Sequence, residues 1–330
     1  MHYRRLGHTD MRVSTMAFGC WAIAGGPAWG DQDEHDALDA IRSAYEEGVT
    51  LFDTAEAYGR GTSEELLGRG VAGFRDKVLL ATKASPEHLA PADLRAACLA
   101  SLRRLRTDRI DLYQLHWPSR VVAPADTIGA VQELRREGLI REWGISNFGP
   151  QDLADLLQAG GAPASNQVAY NLLFRAIEFE ILPACRRQEI GILCYSPLLH
   201  GLLTGKFARI DDVPDWRRRT RHFSCERELT RHDESGAEAE TFDAIARIRE
   251  IAEGLGHSMA DVCLAWLAAQ EGVASAISGA RNREQARRNA HAGDLKLPTD
   301  AIARLTQATD VLKLRLGPNA DMWESESRMR

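Results

Sequence analysis

The chain has 330 residues, of which 44% are apolar and 27% charged, and its formal net charge is −6. That balance belongs to a globular protein with a sizeable core, and the acidic excess excludes a general nucleic-acid binder. No apolar run reaches the roughly 20 residues of a membrane helix, the opening MHYRRLGHTD lacks the apolar centre of a signal peptide, and the six cysteines show neither C-x-x-C nor zinc-type spacing; reduced thiols, no metal, no membrane partner and a cytoplasmic location are expected.

The first 14 residues read as a β-hairpin turning at Gly7 to Asp10, placed to plug one end of the fold. STMAFGCW is a first buried strand. EHDALDAIRSAYEEG comes next as a helix, with Leu38, Ile41 and Tyr45 on one face and Gly48 as its stop. VTLFDT is a second strand, TSEELLGRGVAGF a helix with a Thr/Ser cap signal, and KVLLATK a third strand. The helix PADLRAACLASLRRL leads to the strand RIDLYQLHW. The helix DTIGAVQELRREG leads to IREWGISNF, and PQDLADLLQAG to ASNQVAYNLL. A helix near Glu180 to Gln188 precedes IGILCYSPL. After the helix MADVCLAWLAAQ the last strand is VASAISGA.

Eight strand-like runs alternating with helices predict a parallel sheet buried on both faces, closed as an α/β (β/α)8 TIM barrel, within one domain spanning 1–330. An open doubly wound sheet is the rival. Outside the repeat lie the hairpin (1–14), a polar segment after strand seven (206–240) and an amphipathic C-terminal helix (298–313).

Three familiar motifs fail. Gly59-Arg60-Gly61 is half of a dinucleotide fingerprint, but Glu64 stands where the third glycine belongs. GLLTGKF is one residue short of a P-loop, and GISNFG has the wrong spacing for a nucleophile elbow.

Barrel chemistry gathers at the C-terminal ends of strands. Strand two ends at Asp53 with Tyr58 close behind, strand three ends in Lys83 and strand four in His116. Alone, each has an ordinary reading as a cap, a packed ring, a snorkelling amine or a core imidazole. Together on one rim they suit a carbonyl becoming an alkoxide. An ammonium beside the phenol would lower a pKa of about 10, a carboxylate would anchor the ammonium, and the imidazole would donate to the oxygen. The set lacks a hydride, so a nicotinamide cofactor would have to bring it.

The pieces DTAEAYGRGTSEELLG, VLLATK, DLYQLHWP, GLIREWGISNF, NQVAYNLLFR, YSPLLHGLLTGK and SGARNREQARRNA occur one per successive strand. In that order the chain resembles the aldo-keto reductases over nearly its whole length. It is most similar to bacterial members of the general-stress and inositol-cluster type, relatives of the potassium-channel β subunits. The resemblance implies a catalytic tetrad of Asp53, Tyr58, Lys83 and His116, with Tyr58 as general acid/base. It implies NADP(H) laid across the strand ends. Ser146, Asn147 and Gln167 would hold the carboxamide, Tyr195 and Trp21 would flank the nicotinamide, and Ser196, Leu198, Gly201, Leu203 and Lys206 would line the diphosphate path. Gly279, Arg281, Gln285 and Asn289 would hold the adenosine end, where Arg281 and a helix N-terminus favour a 2′-phosphate.

Two residues depart from the family pattern: Ser278 replaces a common proline, and Arg288 replaces a common acid and adds positive charge. The implied activity is reduction of an aldehyde or ketone, or oxidation of a sugar or polyol alcohol; the alternative is a redox-sensing regulatory subunit. Trp21, Trp29 and Trp117, with Tyr58 and His116, are expected as substrate walls, and Trp143 as core. The arginine-rich stretch 215–234 is expected either as a solvated loop or as a lid over anionic groups. Nothing in the sequence supports a particular oligomer.

Overall fold

A computed structural model describes residues 1–26 and 29–330. Strands β1 (Tyr3–Arg5) and β2 (Arg12–Ser14) form the antiparallel hairpin. The barrel strands are β3 (Met16–Gly19), β4 (Leu51–Asp53), β5 (Leu79–Ala84), β6 (Ile110–Leu115), β7 (Ile140–Ser146), β8 (Ser165–Ala169), β9 (Gly191–Tyr195) and β10 (Val273–Gly279). All pair in parallel and close in the order β10-β3-β4-β5-β6-β7-β8-β9, so the closed barrel is found and the open sheet is not.

Helices fill the connections: α1 (Glu34–Glu46), α2 (Thr62–Gly70), α3 (Pro91–Leu105), α4 (Pro124–Arg136), α5 (Pro150–Gln158) and α6 (Ile181–Arg187) follow β3 to β8 in turn. The helices α7 (Glu238–Gly254) and α8 (Met259–Ala269) follow β9, and α9 (Arg283–Ala292) follows β10. Their starts are written locally. Pro91, Pro124 and Pro150 open three of them, where a missing N–H costs nothing. Asp33, Ser258 and Asn282 cap three others through their side chains.

Period-two alternation decides what the barrel interior contains. Ala17, Leu51, Ala81, Leu112 and Leu193 point inward low in the barrel and meet Leu6, Met11 and Val13 of the hairpin. The hairpin is therefore the plug that the sequence predicts, and each of those three buried side chains contributes about 1.5–3 kcal/mol. Two residues further along β4, β5 and β6 the same inward positions carry Asp53, Lys83 and Gln114. Phe18, Phe52, Leu80 and Tyr113 alternate outward into the core beneath the helices, as does Trp143, which is core as expected.

Two expectations need correction. The single C-terminal helix over 298–313 is two helices, α10 (Thr299–Ala308) and α11 (Asp310–Leu316). Arg175 breaks it by donating to the Thr306 carbonyl (2.7 Å), Thr309 Oγ1 (3.0 Å) and Asp310 (2.8 Å). The arginine-rich stretch 215–234 is neither purely solvated nor purely a lid. Thr220 to Phe223 are buried within it. There Arg221 donates to Glu234 (2.7 Å) and to the carbonyls of Leu316 (2.8 Å) and Asn319 (2.9 Å). That contact fixes residues 317–330, which run back over the barrel mouth until the Arg330 amide reaches Asp152 (2.8 Å). Among the described residues no helix is long and apolar enough to cross a membrane.

Candidate active site

The floor of the mouth is a closed set of hydrogen bonds. Lys83 has three N–H donors and uses them on Asp53 Oδ1 (2.6 Å), the Thr54 carbonyl (2.8 Å) and Tyr58 Oη (3.4 Å). Asp53 Oδ2 accepts from Gln114 (3.0 Å) and Gln167 (2.8 Å), and Gln167 also donates to Gln114 Oε1 (3.1 Å). The Gln167 NH2 is thus engaged within the floor, and of its amide only the oxygen remains for a ligand. Tyr58 reaches this floor because the chain after it turns through Gly59 (φ 59°), Arg60 (φ 55°) and Gly61 (φ 98°). A Cβ on Gly61 would lie 2.6 Å from Arg104 Cδ. Arg104 in turn pairs with the buried Glu64 (2.6 Å), the residue that spoils the dinucleotide fingerprint.

The electrostatics give each group a protonation state. Burial acts first to lower the Lys83 ammonium, but Asp53 and Tyr58 outweigh it and hold the pKa above its ordinary value. The sequence reading expects Lys83 to bring the Tyr58 phenol down. Instead burial, the larger influence, leaves it raised, with Lys83 opposing and Asp53 assisting; the phenol keeps its proton. Burial and then Lys83 push His116 down to about 3, so its imidazole is neutral. That ring lies 5.9 Å from the Tyr58 ring, edge to face.

Above the floor opens a cavity of about 730 Å3, within the range of small-molecule sites. Trp21, Trp29, Tyr58, His116 and Trp117 line one part of it. Ser146, Asn147, Gln167 and Tyr195 line the centre, and Ser196, Leu198, Gly201 and Lys206 continue the wall. Gly279, Arg281, Gln285 and Asn289 line the far end, beside Arg288. Leu203 is the exception: it is fully buried in the core, because the turn Leu199–Thr204 aims it away from the cavity. Asn147 donates to the His116 carbonyl (3.0 Å) and accepts from Tyr195 Oη (2.9 Å). Among the described residues no group of three His, Cys, Asp or Glu side chains is arranged to hold a metal.

The Aldo/keto reductase family model matches residues 15–310. The chain belongs to that family. It is 34% identical to the NADH-specific methylglyoxal reductase of Escherichia coli K12, across 91% of this chain and 95% of that one. The glycerol dehydrogenase of Gluconobacter oxydans superposes with a TM-score of 0.80 at 30% identity, covering 96% of both chains. An aldo-keto reductase of Klebsiella pneumoniae in complex with NADPH superposes with a TM-score of 0.74 at 29% identity, covering 100% of this chain and 99% of that one. The present chain is thus an oxidoreductase.

Several further residues stand around this oxidoreductase's cavity. Trp216 of the arginine-rich stretch meets Trp29 (5.5 Å between centroids), and Arg217 lies over the Trp216 ring (4.5 Å). A Cβ on Gly201 would lie 2.8 Å from Arg217 Nη1 and 3.1 Å from Lys206 Nζ. Two cations thus converge on one glycine, and neither has an acidic partner among the described residues. His200, buried beside them on the cavity wall, leaves both ring nitrogens without a partner. Such a corner suits an anion. Trp323, from the returning tail, lines the cavity and lies parallel to Tyr195 (6.1 Å, 11°). Arg328 covers a face of Trp117 at 4.1 Å, so Trp117 offers less wall than the sequence alone implies. The glycine-rich turn GLLTGK and the arginine-rich stretch 215–234 both hinted at the anion corner; the tail gave no hint.

Proposed function

We propose that this reductase uses NADP(H) to reduce small aldehydes or ketones, or to oxidise the corresponding alcohols, with Tyr58 as the proton donor and acceptor. The observation that carries the proposal is the Lys83 ammonium held between Asp53 (2.6 Å) and Tyr58 Oη (3.4 Å) at the floor of the cavity. The residues present fit a dinucleotide. Ser146, Asn147, Gln167, Trp21 and Tyr195 would hold the nicotinamide end, and Ser196, Leu198, Gly201 and Lys206 the diphosphate, with Arg217 adding charge at the unpaired-cation corner. Gly279, Gln285 and Asn289 would hold the adenosine. Once bound, that group supplies or accepts the hydride.

The chain's own residues manage the proton. In reduction the Tyr58 hydroxyl donates to the substrate oxygen, and the phenolate left behind faces the Lys83 ammonium, whose charge stabilises it. Asp53, pinned by Gln114 and Gln167, keeps that ammonium in place. His116 is neutral, and its ring makes no hydrogen bond within the described residues, so its N–H is available to orient the same oxygen. Trp21 and Trp29 wall the space and exclude water. The named activities of the methylglyoxal and glycerol relatives point to short carbonyl and polyol substrates.

NADPH consumption with methylglyoxal, glyceraldehyde and aromatic aldehydes tests the reading. Tyr58→Phe should lower kcat by roughly 10²–10⁴-fold while dinucleotide affinity stays within about threefold. Unchanged turnover in that variant would remove Tyr58 from the chemistry.

A further inference from the structure

Strand β4 ends at Asp53, yet the chain stays beside β5 for three more residues. The Thr54 amide donates to the Ala81 carbonyl (2.8 Å) and the Glu56 amide to the Lys83 carbonyl (3.4 Å). These are successive rungs of a parallel ladder, and the second is near the outer limit of a hydrogen bond. The next rung of such a ladder would run from the Ser85 amide to the Glu56 carbonyl. Here the Glu56 side chain takes that place: its Oε1 accepts from the Ser85 amide at 2.6 Å. The backbone is thereby released to turn, and the Tyr58 amide closes the turn on the Ala55 carbonyl (3.0 Å).

The Glu56 side chain is 10% exposed, and Nδ1 of His88, in the turn Pro86–His88, lies 2.8 Å from the same oxygen. A short bond to a carboxylate shielded from water is the strong kind. Ala55 and Ala57 on either side have no polar side chain to share the task. Glu56 does not line the cavity, so no ligand competes for it there.

The contact between Lys83 and Tyr58 Oη is by contrast long, at 3.4 Å. Beyond Tyr58 the chain passes through Gly59 and Gly61, residues that restrain a backbone least. What holds the loop before Tyr58 therefore decides where the phenol stands. Glu56 lies two residues before Tyr58, and Ser85 two residues after Lys83.

We infer that Glu56 is a positioning residue: by clamping its loop to the end of β5 it sets the approach of the Tyr58 hydroxyl to the Lys83 ammonium. The inference rests on the proposed role of Tyr58 in proton transfer. The groups that face the phenol are Lys83, Asp53, Cys20 and the His116 ring. Of these, Lys83 favours the phenolate. A loop that drifts from β5 loses that help, and the phenolate then forms at higher pH.

Two substitutions separate the clamp from a merely structural side chain. Glutamine keeps an oxygen acceptor for the Ser85 amide, and alanine does not. Rates are normalised to the protein that binds NADP+ in calorimetric titration. In Glu56→Ala, kcat should fall by roughly tenfold to a hundredfold, with NADP+ affinity within about twofold. The rise with pH in the rate of oxidising the alcohol made from the fastest aldehyde reports the Tyr58 base, and it should move to higher pH. Glu56→Gln should keep the wild-type profile and a kcat within about threefold. Glu56→Asp, one methylene too short, should move the profile in the same direction as alanine and serves where the alanine variant does not fold. Unchanged kcat in Glu56→Ala, or a loss of kcat with the profile unmoved, would overturn the positioning role and leave that of Tyr58 intact. Undiminished turnover in Tyr58→Phe would overturn the reading beneath it.

Discussion

At the floor of the cavity, Asp53, Lys83, Gln114 and Gln167 stand on four barrel strands, and the Lys83 donors and Asp53 oxygens all meet partners, within the set or at the neighbouring Thr54 carbonyl and Tyr58 hydroxyl. At the rim, Trp29, His200, Arg217 and Trp323 stand on loops, and His200 and the Arg217 Nε have no partner. Strand registry fixes the first group, since a slip of one residue would turn all four side chains to the other face. Long-range contacts between loops fix the second. A satisfied floor is rigid and suits chemistry that requires one geometry. A rim with open valences suits recognition, because a ligand completes it.

Removing the floor's cation should break this contrast most severely. Lys83→Met strands the Asp53 carboxylate in the barrel, so about 3–5 kcal/mol of stability should be lost. Turnover should fall by at least roughly 10²-fold. Denaturant melts and steady-state rates measure the two losses, and a fully stable variant would mean that the floor is less coupled than its hydrogen bonds imply.

A rim substitution should behave in the opposite way. Arg217→Ala should lower dinucleotide affinity by roughly tenfold, yet leave the denaturation midpoint nearly unmoved, because Arg217 makes no ion pair among the described residues. A large stability loss without an affinity loss would make Arg217 a structural strut.

The smallest effect concerns acid. Burial is the main cause holding His116 and His200 near about 3 and His222 near about 4. Their unfolded value is about 6.5. Below that value the unfolded chain binds more protons than the folded one, so stability is full above pH 6.5 and declines as pH falls toward those folded values. Unfolding free energies at pH 7, 6 and 5 should trace proton uptake on unfolding to which these three imidazoles contribute close to one proton each. In His222→Gln, which removes one of the three imidazoles, the uptake should fall by about one proton. An unchanged slope would show that His222 titrates normally in the fold.

The floor was legible because two local regularities converge on it: apolar strands of known order, and polar residues at their last inward positions. Gln114 was within reach of the same argument, being two residues beyond the inward Leu112, but an uncharged amide draws no attention when ionisable groups are sought. The barrel and its plug were legible for the same reason as the floor. The rim was not. Leu203 sits in a promising glycine-rich turn, yet whether it faces the cavity depends on three consecutive positive-φ residues, Leu199 (φ 39°), His200 (φ 51°) and Gly201 (φ 93°). Trp323 reaches Tyr195 only because Arg221, about a hundred residues earlier, takes up the carbonyls of Leu316 and Asn319. No periodicity announces such a contact. Arg281 was legible as a cation after the last strand, but its donation to the carbonyls of Trp29 and Asp31 was not.

Of the seven tryptophans, Trp21, Trp29, Trp117 and Trp323 line the cavity, and Trp216 touches Trp29. Trp143 and Trp266 are buried in the core. Near-ultraviolet excitation of this protein therefore interrogates mainly the place where a ligand would sit. Quenching or a spectral shift on mixing should report occupancy in a stopped-flow instrument, with no dye attached.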